Sequence, residues 1–165
     1  MSVIVGSARS SYGHPEMGDQ NGKEVSTQEF YLPSQGYWLG FMPNDAKVAA
    51  KMVKCMTNVC NNNHVGYSQP YRMSLREAYV KYKTFKGIKE NCCCDCSSLI
   101  NTILYACGYN LPNFNTASMP TVLRKSGLFT ETKITKATQC KNGMILVTPT
   151  KGHTMLVVDN GKGKK

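Results

Sequence analysis

Covalent chemistry in this chain would run through cysteine and histidine, and only a few of each are placed to act. Eight cysteines stand at positions 55, 60, 92, 93, 94, 96, 107 and 140. Cys60 and Cys107 fall on apolar helix faces and read as small buried hydrophobes. The cluster Cys92-Cys93-Cys94-Asp95-Cys96 differs, because it directly precedes a run in which Leu99, Ile100, Ile103, Leu104 and Cys107 share one helical face. Asp95 stands at the cap position, and Gly108 closes the run. Three chemistries are open to this cluster. A zinc site would join Cys93 and Cys96 to Cys55 and Cys60 or to His64, but the second cysteine pair lies along a helix at a spacing unlike a zinc knuckle. A redox pair would use Cys93-x-x-Cys96, yet the strand expected ahead of such a motif is missing. In the third, a cysteine in the first turn of a buried helix is a nucleophile. Its thiolate is favoured by the helix's positive end, and the N–H groups there can also hold an oxyanion. Cys96 occupies that place.

A thiol nucleophile needs a base, and the chain has three histidines. His153 follows Gly152 and opens the strand-like Thr154-Met155-Leu156-Val157-Val158, from which its ring can project toward a helix N-terminus. His64 follows Asn61-Asn62-Asn63 at a helix end, where it reads as a surface residue that suits the dipole. His14, beside Pro15, reads as a surface residue of a loop-rich lead-in. Cys96 with His153 is the candidate pair.

The elements that must bring them together are written with unequal clarity. Residues 1–42 are punctuated by glycine and proline and leave room only for short strands around 24–31. From Asn44 onward, Val48, Ala49, Met52, Val53, Met56, Val59 and Cys60 recur at helical spacing, with Asn44 or Asp45 as cap and the three asparagines as stop. Ser68 before Pro70 predicts a second helix ending before Gly87, and Asp95 begins the third. Ser118 and Pro120 start a short fourth helix that Gly127 ends. Residues 129–134, 144–147 and 154–158 are β-rich and separated by turn residues, which predicts an antiparallel sheet. Helices followed by strands indicate an α+β domain. Trp38 with Tyr31, Tyr37 and Phe41 suits either a substrate groove or a small satellite core, and Met42, Met52, Met56 and Met73 read as core fillers.

A chain of 165 residues with 41% hydrophobic residues suits one globular domain that can fold without disulfides or metal. Its longest apolar runs are far shorter than the roughly 20 residues a membrane span needs. The start, Met1-Ser2-Val3-Ile4-Val5-Gly6, lacks the basic and apolar segments of a signal peptide. Twenty basic against ten acidic residues give a net charge of +10, which attracts a polyanion. Charge alone does not choose among nucleic acid, anionic lipid and an anionic cell wall, no nucleic-acid motif is present, and a solvated basic surface accounts for it equally.

The string Asp95-Cys96-Ser97-Ser98-Leu99-Ile100 resembles the nucleophile motif of the NlpC-type papain-like cysteine peptidases. Asn142-Gly143-Met144-Ile145-Leu146-Val147 followed by Gly152-His153-Thr154 is similar to their histidine strand pair, in the same chain order. Gly6-Ser7-Ala8-Arg9, Gly18-Asp19-Gln20-Asn21-Gly22-Lys23-Glu24-Val25 and Val65-Gly66-Tyr67 resemble segments of a branch of phage endolysin catalytic domains. The resemblance implies a papain-like α+β fold: a loop-rich N-terminal segment, helices, then a small antiparallel sheet. A single catalytic domain would span 1–159, and 160–165 would begin a flexible basic linker or a trimmed end. It also implies thiol-dependent hydrolysis of peptidoglycan, as an endopeptidase on the stem peptide or an N-acetylmuramoyl-L-alanine amidase, with lysis as the outcome. Cys96 is then the nucleophile and His153 its base, while Asp95 caps the helix.

Two departures from the family pattern shift attention to the lead-in. The family's third polar residue, about a dozen positions after the histidine, would fall at Lys165, and Phe85-Lys86-Gly87-Ile88 does not match the family's tyrosine-containing segment. Asp19 is accordingly expected to orient the imidazole and Gln20 to donate to the oxyanion, with Glu24 a further candidate. No cofactor or metal is expected. The implied partner is bacterial peptidoglycan, with no nucleic acid and no stable membrane insertion, and a C-terminal wall-binding module would lie outside this chain. The implied route is synthesis in the cytoplasm of an infected bacterium, without a signal peptide, and action on the wall after release. The alternatives are a zinc-stabilised basic binding module built on the cysteine cluster, and a thiol amidase or acyltransferase with another substrate.

Overall fold

Alternation along the strands decides which way each residue of this chain faces. The computed structural model describes residues 2–9, 20 and 23–162. In chain order they form β1 (Ile4–Ala8), β2 (Val25–Glu29), β3 (Trp38–Pro43), α1 (Ala46–Cys60), β4 (Val65–Tyr67), α2 (Ser74–Tyr82), β5 (Cys92–Cys94) and α3 (Cys96–Ala106). Then follow α4 (Met119–Ser126), β6 (Phe129–Ile134), β7 (Ile145–Val147) and β8 (Thr154–Asp159). Six strands make one sheet in the order β2-β1-β8-β7-β3-β6, antiparallel at every pairing, and β4 pairs with β5 in a separate parallel ribbon. The fold is thus mixed α and β, with an antiparallel sheet and four α-helices among the described residues.

Successive strand residues point to opposite faces. Ile145, Val147 and Leu156 join the main core, where α1 and α3 pack across β1 and β8. Leu146, Met155 and Val157 face the other side with Trp38, Ile134 and Met144, under a cover that includes Phe30, Met42 and Ala137. Met52 and Met56 lie in the main core.

Several elements fall where the sequence places them. Asp45 caps α1 by accepting the Lys47 N–H at 2.8 Å, and Asn61 ends that helix. Ser118 precedes α4, and Gly127 closes it in the left-handed region. The three C-terminal strands lie on the predicted stretches.

The lead-in is the main correction. β2 falls within the short-strand stretch expected at 24–31, but the described residues also supply β1 and β3, so the sheet is larger than expected. β1 carries little alternation to read, and its Gly6 is needed where α1 crosses, since a Cβ there would lie 2.6 Å from Met56 Cγ. The second helix begins at Ser74 instead of near Pro70, because residues 69–73 close turns in which the Tyr71 N–H donates to Ser68 Oγ at 3.3 Å. The β4–β5 ribbon was not predicted, since two three-residue strands are too short to show a period.

Candidate active site

The first turn of α3 is fixed by a reciprocal cap. Asp95 Oδ1 accepts the Ser98 N–H at 2.8 Å, and Ser98 Oγ accepts the Asp95 N–H at 2.9 Å. Leu99 N–H completes the turn on the Asp95 carbonyl at 3.1 Å. Arg72, from the turn before α2, locks this arrangement from outside. Its Nε donates to Asp95 Oδ2 at 2.7 Å, Nη2 donates to Ser97 Oγ and the Phe114 carbonyl, and Nη1 donates to Asn113 Oδ1. Asp95 is buried, so this pairing compensates a carboxylate that would otherwise be costly to desolvate.

Cys96, the first residue of α3, lines a cavity of about 460 Å³ together with His153. The backbone explains how β8 reaches the thiol. Thr148 N–H donates to the His153 carbonyl and Val157 N–H to the Met144 carbonyl, so Thr154 sits between ladder bonds with its N–H turned away from β7. The β1 pairing with β8 covers only Leu156, Val157 and Asp159, which leaves that N–H directed at the sulfur of Cys96. Burial, and then the neighbouring Asp95 carboxylate, push the Cys96 thiol up to about 11. The N–H groups of Thr154, Ser97 and Cys96 itself oppose that rise.

His153 is held at the mouth of β8 by its own N–H, which donates to Thr148 Oγ1 at 3.1 Å. Its ring lies 6.5 Å from that of Trp38, and the preceding Gly152 N–H ties the turn to Thr116 Oγ1 at 3.0 Å. Burial, aided by the Arg9 guanidinium, pushes the imidazole down to about 4. Its Nε2 is buried and has no hydrogen-bond partner among the described residues. Burial thus works against the charged form of both the thiol and the imidazole.

The remaining predicted residues are placed differently. Asp19 and His14 lie outside the described residues. Gln20 is not among the residues that line the cavity: its carboxamide donates to the His64 and Cys92 carbonyls at 3.1 and 3.0 Å, bridging β4 and β5. The buried Glu24 likewise serves this ribbon, accepting the Tyr67 N–H at 2.8 Å. His64 is exposed, with Nδ1 3.1 Å from Asn91 Oδ1. Trp38 belongs to the core beneath His153, whereas Tyr31, 39% exposed, packs edge-on against it. Burial raises the Tyr31 hydroxyl, and so does the nearby Cys96 sulfur, while Arg9 lowers it.

The cysteine cluster divides cleanly. Cys92, Cys93 and Cys94 form β5 and are buried, so the strand missing from the sequence reading does stand before α3. All eight cysteines are free thiols. Among the described residues no group of three or more histidine, cysteine or acidic side chains is placed to hold a metal ion. Cys60 and Cys107 are half-buried against the core, and Cys107 shares a thiol hydrogen bond with Cys55. Two residues of the site escaped the sequence reading of function: Arg72, which carries no motif signal, and Arg9, which appears only within a quoted segment.

Residues 8–164 match the family model described as Endolysin-like domain. No curated protein and no solved structure matches the chain.

Proposed function

The chain belongs to the endolysin-like domain family, and from that premise we propose that it is a peptidoglycan hydrolase that cleaves an amide bond of the wall peptide through Cys96. The observation that carries this reading is the shared cavity, into which α3 brings a first-turn cysteine and β8 brings a histidine. A nucleophile helix packed on an antiparallel sheet that supplies the base would suit a papain-like, NlpC-like fold, and the two cores on either side of a single sheet suit one catalytic domain over 1–159.

The steps follow from the geometry. As Cys96 Sγ bonds to the amide carbon, its proton passes to the His153 imidazole. The oxyanion develops beside the first turn of α3, where the N–H groups of Cys96 and Ser97 make no bond within the helix, since the intrahelical bonds begin with Leu99. They take the role expected of Gln20. The imidazolium protonates the departing amine, the C–N bond breaks, and a thioester remains on Cys96. Water, losing a proton to His153, hydrolyses the thioester, releasing the carboxylic product and restoring the thiol. Asp19, which lies outside the described residues, is the proposed third member.

The test is turbidity clearing and fragment mass analysis on purified peptidoglycan. The parent and Cys93→Ala should release fragments whose masses name the bond, and Cys96→Ala should release none. Cleavage that survives Cys96→Ala, or a parent inactive on walls of several chemotypes, defeats the proposal.

A further inference from the structure

Among the described residues, the charges that line the cavity are unbalanced. Among the described residues that line it, the one carboxylate, Asp95, is already bound by Arg72. Arg9 also lines the cavity, but its guanidinium is held by neutral groups: Gln28 Oε1 at 2.6 Å, the Lys23 carbonyl at 3.1 Å and Ser26 Oγ. No carboxylate among the described residues forms an ion pair with it. Lys151 adds an exposed ammonium on the turn that delivers His153, also without an ion-pair partner among the described residues.

A half-buried guanidinium, fixed in place by three neutral acceptors, has its rotamer settled before any ligand arrives. Its planar fork recognises planar anions better than a mobile ammonium would. Arg9 is close enough to His153 and Tyr31 for its charge to shift both. Whatever it holds therefore lies in the cavity that Cys96 and His153 share.

We infer that Arg9, seconded by Lys151, binds a free carboxylate of the substrate next to the scissile amide, so that the preferred substrates are acidic peptides. This rests on the hydrolase reading of the Cys96–His153 cavity. A carboxylate seated on Arg9 would also offset the charge that disfavours a protonated His153, so the correct substrate would help the imidazole accept the thiol proton. An amidated substrate would lack both effects.

The probe is the major muropeptide released from purified peptidoglycan by a glycosidase, used as isolated or after its carboxylates are amidated with carbodiimide and ammonia. Binding is measured by calorimetry on Cys96→Ala protein, so no turnover is required, and failure of the hydrolase reading appears separately as a parent that does not cleave. The acidic form should bind at least about tenfold more tightly than the amidated form, as expected for a charge-assisted contact. Arg9→Gln in the same background should erase that preference, Arg9→Lys should keep part of it, and Lys151→Gln, on an exposed turn, should reduce it. Equal affinity for the two forms, no binding of either, or an undiminished preference after Arg9→Gln overturns the assignment. If Arg9→Gln does not fold, the amidation comparison and Lys151→Gln still decide the matter.

Discussion

Acid should weaken this fold through His153 by an amount that can be isolated from every other titration. Burial and the Arg9 charge hold the imidazole at about 4, against 6.5 for the ordinary side chain. In the unfolded chain both causes vanish. Between those two values the unfolded state therefore binds a proton that the native state refuses, so stability rises with pH there. The contribution is complete above pH 6.5 and is lost as the pH falls to about 4. At ~1.4 kcal/mol per pH unit, this interval amounts to about 3 kcal/mol, a large share of a typical domain's stability. The assay is urea unfolding at pH 7, 5.5 and 4, run on the parent and on His153→Gln, which fills similar space but does not titrate. Carboxylates such as Glu90 and Glu131, held below their usual range by Lys81 and Arg124, weaken both proteins equally in acid and cancel in the difference. The stability of the parent relative to His153→Gln should fall by about 3 kcal/mol from pH 7 to pH 4. Parallel pH profiles would refute the reasoning, because they would mean that the ring titrates alike in both states. The kinetic counterpart is an acid limb of kcat/KM near 4 in the free enzyme instead of near 6.5.

Other perturbations address the scaffold and the thiol. Asp95→Ala removes the α3 cap and strands Arg72, and should cost about 3 kcal/mol in urea unfolding; Asp95→Asn, which keeps an acceptor for the Ser98 N–H, should cost roughly half as much. Gly143→Ala should destabilise by about 2–3 kcal/mol, read as a lower Tm, because φ is +90° and the new Cβ would lie 2.7 Å from the Ala49 carbonyl oxygen. Alkylation of Cys96 by iodoacetamide in the ligand-free protein should keep accelerating past pH 9, following a thiol near 11, and a plateau by pH 8 would contradict the buried, neutral sulfur.

Much of the site was legible because capping and helical periodicity are local signals. Asp95, Ser98 and the run from Leu99 to Leu104 announce α3, and with it the placement of Cys96 at a helix start. The turn residues around Gly143 and Gly152 likewise announce the β7–β8 pair that carries His153. What escaped is non-local. β1 lies between β2 and β8, strands distant from each other in the chain, so its place in the sheet depends on partners and not on its own pattern. Gln20 illustrates the same limit. Its residue type suits an oxyanion donor, but the carbonyls of His64 and Cys92 lie within reach and engage its amide. Arg72 gathers Asp95, Ser97, Asn113 and Phe114 from two further segments, a convergence that no spacing rule reports.

The protonation states bear on how the proposed hydrolase would become reactive. Burial pushes the Cys96 thiol up and the His153 imidazole down, so both disfavour a thiolate–imidazolium pair, and a substrate that relieves either would favour charge separation. The groups that disfavour ionisation also say what would ease it. Burial is the larger cause for both groups, but the Arg9 contribution to His153 can be offset by one anion, and three N–H groups already face the sulfur. The side chain proposed to select an acidic peptide is thus the one whose neutralisation would make His153 a better base. Selectivity and activation then share a cause, and an enzyme that ionises its cysteine only when filled leaves an uncharged, weakly nucleophilic thiol in the empty state.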